Sequence, residues 1–342
     1  MNEQTSLRYS GVLYLSRRAL LSMFLSASVC GQAAVADYRD PLDLPALKID
    51  SASQSLLLDI AEVDGRLVAV GERGHVLYSD HRNEQWEQSE VPVRAQLNAV
   101  FFIDEKRGWA VGEDAAIVHT LDGGLTWEKQ FDARNAGIQG PLLDVYFKDA
   151  KVGFAVGVFN KLYRTEDGGE TWIDWSDHAD NPQEWHFFAI VATDPDTLYI
   201  SSETGLIFRS RNGGKTFEPI QTDHKGSFQN ILAKRAEDGS DWLIASGVGG
   251  QVFTSKDGGD SWKELNTGTE AGLAGGTWLA DGSAVIVGAN GVMVHVAPGL
   301  NSVNKYQVNS GLPLSDVVRL PEGPYVMVGL GGLHSIDRVP AK

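Results

Sequence analysis

Short apolar runs separated by glycine-containing turns recur along most of the chain, with few patterns of helical length between them. One such run ends in glycine each time it returns, as in residues 67–71, Gly108–Gly112, Gly153–Gly157, Ala284–Gly288 and Tyr325–Gly329. A first run precedes it, and a third follows after another glycine-bearing turn. Apolar runs of four to eight residues bounded by turn residues are typical of β-strands. The pattern therefore predicts a chain built from short strands.

A second pattern, which we call the Asp box, follows the third run. Residues 120–127 read Thr-Leu-Asp-Gly-Gly-Leu-Thr-Trp, and the pattern returns with its Asp or Asn at 122, 167, 212 and 257, a step of 45 residues. A degenerate copy lies near residue 80. The carboxylate or amide can accept N–H bonds from the turn, the glycines allow positive φ, and the aromatic ring can be buried between sheets. We therefore predict a structural role for Asp122, Gly124, Trp127, Asp167, Gly169, Trp172, Asn212, Gly214, Phe217, Asp257, Gly259 and Trp262.

Four strands in each repeat of this length are typical of a propeller blade. First strands are predicted to begin near Leu56, Leu97, Leu142, Phe187, Phe228, Leu273 and Leu314. The fold class is therefore predicted to be all-β, a single seven-bladed β-propeller of four-stranded antiparallel blades over residues 37–342. The last repeat stops before a fourth strand. We predict that residues 41–49 supply it, as an N-terminal strand that closes the last blade and removes an exposed edge.

Residues 1–36 are predicted to be a signal peptide. Arg17 and Arg18 precede an apolar run of about a dozen residues, shorter than the ~20 needed to span a bilayer. Ala34 and Ala36 then match the small-residue pattern of a cleavage site. Cleavage after Ala36 would place the mature chain in the periplasm, with no stable membrane insertion. An uncleaved anchor is the alternative, and both the Sec and the twin-arginine routes remain open.

Charge and composition narrow the possible functions. The 342 residues include 29 Lys and Arg against 45 Asp and Glu, a net charge of −16, whereas a nucleic-acid binder needs surplus cations, so nucleic acid is not an expected partner. The one cysteine, Cys30, lies in the predicted signal peptide, so we expect no disulfide and no cysteine-based zinc site. The eight histidines form no pair with metal-ligand spacing. We therefore predict no metal and no cofactor.

The Gly-aromatic-Ala-Val-Gly run followed by the Asp box, in residues 108–127 and 153–172 and with the copy at Asp257, resembles the photosystem II assembly/stability factor family of seven-bladed propellers. The resemblance covers roughly residues 41–340. It implies a non-enzymatic chaperone that binds nascent membrane-protein segments through a basic patch. In non-photosynthetic bacteria it implies an exported accessory protein, in some cases encoded beside exporters of the resistance-nodulation-division type. The net negative charge and the lack of an arginine cluster on the repeat depart from that basic patch.

The predicted function is thus an exported, non-enzymatic propeller scaffold or assembly factor whose protein partner is a membrane protein or an envelope transport complex. A sialidase-like glycoside hydrolase or a carbohydrate-binding propeller is the alternative, because sialidases share the Asp box. Such enzymes need three arginines, a tyrosine nucleophile assisted by glutamate, and an acid. Arg319-Leu320-Pro321 resembles their arginine motif but lies in the last repeat, and no further arginines occupy corresponding positions. We therefore predict no catalytic residues.

Aligned first strands place acids and one amide in a single column with small residues between them. First strands line the central channel of a propeller, so a channel site for a cation or a peptide amine is one interpretation. The other is that each side chain accepts backbone N–H bonds from the next blade, because buried carboxylates need local donors. The candidate column residues are Asp59, Asp144, Asn230 and Asp316, with Ala99, Ala189 and Gly275 between them.

Two connections vary in an otherwise regular repeat, residues 132–140 and 174–185. Each should join a fourth strand to the next blade's first strand, so the two loops should share one face. Loops on a rigid frame are where binding residues concentrate. The second loop holds the candidate partner residues Trp175, His178 and Trp185 among four acids, which suits an aromatic anchor and a basic partner. The alternative is that the two tryptophans pack onto blades three and four.

Overall fold

The computed structural model of the protein describes residues 39–80, 85–134, 140–308, 310–321 and 323–338. The predicted signal peptide, residues 1–36, lies outside them. Within the described residues the strands form antiparallel sheets, and the other regular elements are three-residue 3₁₀ turns at Pro41–Asp43, Ala52–Gln54, Glu72–Gly74, Glu113–Ala115, Ser176–His178, Val248–Gly250 and Ala289–Gly291. No helix in this part of the chain combines the length and apolar character needed to cross a bilayer.

Seven sheets form the seven blades of a β-propeller, which confirms the predicted all-β fold. Blades one to six have four strands each, and the described part of blade seven has three. In chain order the strands are β1 Leu57–Val63, β2 Arg66–Gly71, β3 Val76–Ser79, β4 Glu87–Gln88, β5 Leu97–Phe102, β6 Gly108–Gly112, β7 Ile117–Thr120, β8 Glu128–Phe131, β9 Leu142–Phe147, β10 Gly153–Gly157, β11 Leu162–Thr165, β12 Ile173–Asp174, β13 Phe187–Asp194, β14 Thr197–Ser202, β15 Leu206–Ser210, β16 Glu218–Gln221, β17 Phe228–Arg235, β18 Asp241–Gly247, β19 Val252–Ser255, β20 Lys263–Leu265, β21 Leu273–Trp278, β22 Ala284–Gly288, β23 Val292–Val296, β24 Val303–Gln307, β25 Leu314–Arg319, β26 Tyr325–Gly329 and β27 Gly332–Ile336.

The first strands form the inner ring. Strands β1, β5, β9, β13, β17, β21 and β25 each contact the first strands of both neighbouring blades, and β25 contacts β1. Six of them begin at the residue that the repeat predicts, and β1 begins one residue later, at Leu57. The hydrophobic core is divided among the interfaces between blades, because each cluster of buried side chains combines residues from two adjacent blades.

The Asp box residues form the turn between the third and fourth strands. In blade two, Asp122 Oδ1 accepts backbone N–H bonds from Leu125 and Thr126 at 3.0 and 2.9 Å. Asn212 Oδ1 makes the second of these bonds in blade four, from Thr216 at 3.0 Å. The aromatic residue of the box then enters the interface with the preceding blade. Trp127 is 5% exposed and packs in the cluster that includes Val68 and Val70 of blade one, and its ring meets Phe102 of its own blade edge-on at 6.1 Å.

Residues 41–49 do not form a strand and do not join blade seven, so the prediction of an N-terminal strand that closes the last blade is wrong. Pro41 and Pro45 lack the N–H groups that a sheet strand needs. Ion pairs hold the segment elsewhere, because the Asp43 carboxylate lies 3.0 Å from Lys129 Nζ and 2.6 Å from an Arg134 nitrogen. The hydrogen bonds from Arg134 and Lys129 keep the pKa of Asp43 well below its usual value.

The ring closes by direct packing of blade seven on blade one. Leu57 and Ile60 of β1 and Leu67 of β2 are buried against Val326 and Val328 of β26. Residues 41–49 therefore take no part in the interface that closes the ring. They lie as an arm along blades one and two, where Leu42 packs with Ala95 and Ala116.

We expect Trp127→Ala to lower the free energy of unfolding by roughly 3–5 kcal/mol, because it removes a buried aromatic ring between two blades. Urea unfolding followed by circular dichroism measures the change. Leu121→Ala is the matched control, since Leu121 belongs to the same box but is 64% exposed; its effect should stay within about 0.5 kcal/mol. A loss under ~1 kcal/mol for Trp127→Ala would show that burial of this ring between the two blades contributes little to stability.

Candidate interaction face

The strand order gives the propeller two different faces. Turns between second and third strands and the connections between blades emerge on one, which we call the connection face. The Asp boxes and the turns between first and second strands emerge on the other, the box face. Both variable loops are connections between blades, so they share the connection face. Residues 135–139 of the first loop lie outside the described residues.

The turn between the second and third strands of blade three presents an exposed aromatic ring. This turn uses the left-handed backbone region in several blades, at φ between 54° and 58°, in Arg73, Asp114, Phe159, Thr204 and Asn290. Left-handed backbone suits Asn or Gly and is uncommon for bulky residues. Phe159 adopts this backbone conformation, and its side chain is 62% exposed. A strained turn that leaves an aromatic ring in solvent offers a contact point for another molecule.

Two asparagines fix the long loop of blade three to this turn. Asn181, which is 4% exposed, donates its Nδ2 hydrogens to Asn160 Oδ1 at 2.8 Å and to the Trp185 carbonyl at 2.9 Å. Its Oδ1 accepts the Trp185 backbone N–H at 3.1 Å. Asn160 N also donates to the Trp185 carbonyl, at 3.2 Å. The loop is therefore rigid and holds its position relative to Phe159.

Two of the three predicted partner residues are engaged within the protein. The Trp175 ring stacks on His178 at 3.5 Å between centroids, and its Nε1 donates to the Gly214 carbonyl at 3.0 Å. The Arg164 guanidinium lies 4.7 Å from the centre of the same ring. Trp175 also packs against the buried cluster between blades three and four. These contacts agree with the alternative that Trp175 packs onto the blades, and the stacked His178 ring adds to that packing.

Trp185 lies apart from that pair and lines a groove at the edge of blade four. The cavity has a volume of about 540 Å³. Its apolar walls come from Trp185, Pro182, Leu206, Phe208 and Pro219, and its polar ones from Asp180, Asn181, Gln183, Thr204 and Gln221. An aromatic wall beside prolines, with polar groups around it, suits an apolar side chain of a polypeptide whose backbone can hydrogen-bond.

A cluster of aromatic rings around His186 lies next to this groove. The His186 ring meets Phe159 and Phe188 edge-on, at 4.7 and 6.2 Å between ring centroids. Glu203 holds it in place, since Oε2 accepts the His186 backbone N–H at 3.1 Å and Oε1 lies 3.7 Å from ring Nδ1. Phe159 is thus the exposed member of an ordered aromatic cluster.

The charges of the two faces differ. The long loop of blade three and the neighbouring turns carry four acids, Asp177, Asp180, Glu184 and Glu203, against Lys161, whose Nζ lies 5.7 Å from the centre of the Phe159 ring. On the box face the arginines are held in ion pairs, as in Arg66–Asp80, Arg164–Glu166, Arg209–Asp260 and Arg235–Asp194. The surface potential around Phe159 therefore favours a basic partner.

The column carboxylates join neighbouring blades. Asp59 accepts N–H bonds from Ile60 at 2.8 Å and from Val100 of blade two at 2.7 Å. Asp144 does the same with Val145 and with Ile190 of blade four, both at 2.8 Å. Each carboxylate therefore uses its lone pairs on the backbone, as the second interpretation of the column expects. Asn230 shares the column, and its buried Nδ2 has no hydrogen-bond partner.

Acids and small residues alternate around this ring. A side chain at Gly275 would collide with Asp316, because its Cβ would lie 2.3 Å from Asp316 Oδ1. Seven is odd, so the alternation fails once, between blades seven and one, where Asp316 and Asp59 hydrogen-bond to each other. Burial raises the pKa of Asp59, and burial together with the Asp59 charge raises that of Asp316 well above its usual value. Both carboxyls therefore bind a proton more readily than an exposed Asp does, Asp316 more so than Asp59.

The described residues contain no group of three or more His, Cys, Asp or Glu side chains that could hold a metal ion. Arg319, the arginine of the sialidase-like motif, lies 4.4 Å from the centre of the Tyr325 ring and donates to the Asp337 carbonyl at 3.4 Å. It thus makes contacts within blade seven.

The sequence interpretation missed Phe159, Asn160 and Asn181. A signal was present, because the position of Phe159 holds a polar residue or glycine in the other blades, as Arg73, Asp114, Thr204, Gly249, Asn290 and Gly331 show. An aromatic residue at the tip of such a turn is the exception in the repeat. The Asn160–Asn181 bond had no signal, since it joins two loops that only the fold brings together.

Together, the fold and the face define a seven-bladed propeller with a rigid, acidic, aromatic surface at one end. The family model for the photosynthesis system II assembly factor YCF48 matches residues 78–140 and 129–333, and the chain belongs to this family. The photosystem II assembly protein Ycf48 of Thermosynechococcus vestitus is 44% identical over 43 residues. That alignment covers 13% of this chain and 12% of the cyanobacterial protein.

Solved structures of other proteins share the fold at low sequence identity. YCF48 bound to a D1 peptide is 18% identical with a TM-score of 0.64, over 85% of this chain and 97% of that one. YCF48 from Cyanidioschyzon merolae is 15% identical with a TM-score of 0.65, over 82% and 95%. The GH74 xyloglucanase of Xanthomonas campestris is 13% identical with a TM-score of 0.66, over 82% of this chain and 52% of the enzyme. At these identities the likeness concerns the fold.

We expect Asp144→Asn to flatten the pH dependence of stability between pH 5 and 8. Burial raises the pKa of Asp144 to about 8, so over this range the folded protein keeps a proton that the unfolded chain has lost. The free energy of unfolding should then fall as pH rises, by up to about 1.4 kcal/mol per pH unit. Urea unfolding at pH 5, 6, 7 and 8 measures the slope.

Asp167→Asn is the matched control for this experiment. The hydrogen bond from Thr171 lowers the pKa of Asp167 to about 2, so this group titrates below the tested range. Asn is compatible with both positions, since Asn212 occupies the same place in its box and Asn230 the same place in the column. An unchanged slope in Asp144→Asn would show that this carboxyl is ionised in the folded protein at pH 5.

Proposed function

We propose that the protein is an exported, non-enzymatic scaffold or assembly factor that binds a membrane protein or an envelope transport complex through its connection face. The observation that supports this most is the distribution of exposed apolar side chains. The turns between the second and third strands of blades three, five and seven carry Phe159, Val248 and Leu330, whose side chains are 62%, 49% and 48% exposed. A face that presents several apolar tips on a rigid frame is typical of a protein-binding surface.

The family supports a polypeptide partner. A structurally similar protein, YCF48, binds a D1 peptide. The partner of the present chain should differ in charge, because the acids near Phe159 favour a basic segment. We therefore propose that the partner offers an apolar side chain to Phe159 and to the Trp185 groove, with lysines or arginines on either side. Opposite charges would speed the encounter, and burial of the aromatic anchors would stabilise the complex.

Export to the periplasm, with cleavage after Ala36, is part of this proposal, as is an exporter of the resistance-nodulation-division type as one possible partner. The apolar run and the small residues at 34 and 36 support the first. The second follows from the resemblance to exported accessory propellers. N-terminal sequencing of protein recovered from the periplasmic fraction tests the cleavage site.

The alternative, a sialidase-like hydrolase, has less support from the geometry. Asp59 and Asp144 are fully engaged by backbone N–H groups, and Arg319 is engaged by Tyr325 and Asp337. A retaining glycosidase instead needs two carboxyls about 5–5.5 Å apart that face a substrate, or a tyrosine nucleophile in their place. We therefore expect no hydrolysis of aryl sialosides or aryl glucosides. Turnover that disappears in the variant Arg319→Ala would overturn the non-enzymatic proposal.

We expect the double variant Phe159→Ser, Trp185→Ser to lose at least tenfold in recovery of membrane-protein partners from detergent-solubilised envelope fractions. Tagged mature protein serves as bait, and quantitative mass spectrometry measures the recovery. Leu121→Ser is the matched control, because Leu121 is as exposed as Phe159 but lies on the box face. Its recovery should equal that of the wild type.

Thermal unfolding of all three proteins accompanies the binding measurement. The double variant should unfold within a few degrees of the wild type, since Phe159 is exposed and Trp185 is half-buried. Equal recovery by the double variant and the wild type would remove the connection face from consideration. Loss in both the double variant and Leu121→Ser would indicate adhesion to exposed apolar residues in general.

A further inference from the structure

In the part of the chain that the structure describes, blade seven has no counterpart of the outer strand that the other six blades have. Among the described residues, β25, β26 and β27 form its whole sheet, and no strand pairs with the outer edge of β27. In blades one to six a fourth strand of two to five residues covers the equivalent edge. The blade therefore ends in an uncovered strand, and we call the space beside it the blade-seven slot.

The repeat shows which backbone groups face the slot. In blade one the Val76 carbonyl accepts an N–H bond from Ser89 at 2.9 Å, and in blade three the Leu162 carbonyl accepts one from Trp175 at 2.7 Å. Val76 and Leu162 each pair with the valine that precedes the final glycine of the second strand. In blade seven the equivalent residue is Leu333, which pairs with Val328. The N–H and carbonyl groups of Leu333 and of Ser335, two residues on, therefore point into the slot.

The side chains of β27 are partly uncovered for the same reason. Third strands elsewhere are mostly buried, whereas Leu333, His334 and Ile336 are half-buried and Ser335 is exposed. Leu333 packs against the buried cluster between blades seven and one, and Ile336 packs against the cluster between blades six and seven. Both flanks of the slot are thus apolar.

Natural edge strands usually carry charges, prolines or bulges that prevent pairing with other chains. Strand β27 has the sequence Gly-Leu-His-Ser-Ile, without Lys, Arg, Asp, Glu or Pro. It pairs with β26 in regular register over its whole length. The edge therefore has none of the usual protection and can accept another strand.

The 3₁₀ turn Ala52–Gln54 packs against Gly332 at the start of β27, and the arm before it, residues 41–49, leads away from the slot to blades one and two. Asp40 and Asp43 pair with Arg134 of blade two, and the Ala46 N–H donates to the Val91 carbonyl at 3.0 Å. The slot is instead continuous with the connection face, because Leu330 and Leu312, 48% and 37% exposed, lie where the turn before β27 reaches that face. A polypeptide bound at Phe159 and Val248 would meet the end of the slot on the same surface.

We propose that the blade-seven slot binds an extended segment of the partner protein, which adds to β27 as an antiparallel fourth strand. The segment is four or five residues long, uncharged, and carries an apolar side chain on each face, one against Leu333 and one against Ile336. Main-chain hydrogen bonds supply affinity in this mode of recognition, and the alternate side chains supply selectivity. The proposal adds to the connection face a second contact that requires an unfolded, strand-forming stretch of the partner.

Hydrogen exchange with a defined peptide tests the slot itself. The probe is a synthetic peptide of residues 301–308 of this chain, which contains the fourth strand of blade six, with capped ends and the change Lys305→Gln so that it is uncharged. In the free protein the Leu333 and Ser335 amides should exchange at least tenfold faster than the Val76 and Tyr78 amides. Millimolar peptide should slow their exchange at least tenfold. Slow exchange without peptide would mean that another part of the chain fills the slot, and no change with peptide would mean that the edge cannot accept a strand; either result overturns the proposal.

Ser335→Pro is the matched variant, with Ser335→Ala as its control. Proline removes the outward N–H of Ser335 and is tolerated on edge strands, whereas alanine keeps the backbone intact. Protection of Leu333 by the peptide should disappear in Ser335→Pro and remain in Ser335→Ala. If Ser335→Pro does not fold, a peptide N-methylated at alternate residues, tested on the wild-type protein, should fail to protect these amides. Protection that survives this change would contradict strand addition.

A photoreactive residue at Ile336, in the full chain expressed in cells, identifies the natural occupant. Adducts that map to one short segment of another protein, and that excess probe peptide suppresses, support the proposal. Adducts with a second copy of this chain, or with residues 1–38 or 339–342, overturn the assignment to a partner, as does the absence of any adduct. The peptide result does not depend on the connection face, so failure here and failure of the Phe159 experiment can be told apart.

Discussion

The structure depends on the burial of each blade's faces by its neighbours. A four-stranded sheet of this size leaves two apolar faces, and an isolated blade would leave both in water. Each buried cluster draws on two adjacent blades, and the cluster of Leu57, Val326 and Val328 joins the last blade to the first. The ring is thus a cyclic set of equivalent interfaces, and none of them can be lost without exposing the two blades beside it.

This arrangement leaves the turns free to vary. The boxes hold their own turns through Asp122, Asp167 and their equivalents, and Arg66 of blade one adds bonds to the carbonyls of Asp122 and Gly123. On the opposite, connection face the turns carry a strained Phe159 and a long loop fixed by Asn181, outside the buried clusters between the blades. Rigidity and an exposed apolar ring are found together because different parts of the molecule supply them.

The repeat made most of the fold predictable from the sequence, because box spacing and glycine-ended strands recur at fixed positions. The closure was not predictable in this way. Residues 41–49 have the apolar content of a strand, but Pro41 and Pro45 cannot pair, and Lys129 and Arg134 attract Asp43 to another blade. The column of Asp59 and Asp144 was predictable as a set, whereas its hydrogen bonds to Val100 and Ile190 needed the register between blades. The sequence indicated Trp175, His178 and Trp185 as candidate partner residues; the fold stacks Trp175 on His178 and brings Trp185 beside the turn that carries the exposed Phe159.

In the column around the channel, the alternation of residue types conflicts with the odd number of blades. Acid or amide alternates with alanine or glycine from blade one to blade six, which is a pattern with a period of two blades. An even ring satisfies such a pattern everywhere, and a ring of seven cannot. The mismatch falls between Asp316 and Asp59, at the joint between the first and last blades, which no loop of the chain spans. Growth by duplication of a two-blade unit would preserve the alternation, while one added blade with a small residue at this position would separate the two carboxyls. The odd blade count therefore makes the seam between the first and last blades the place where two carboxyls of the column meet.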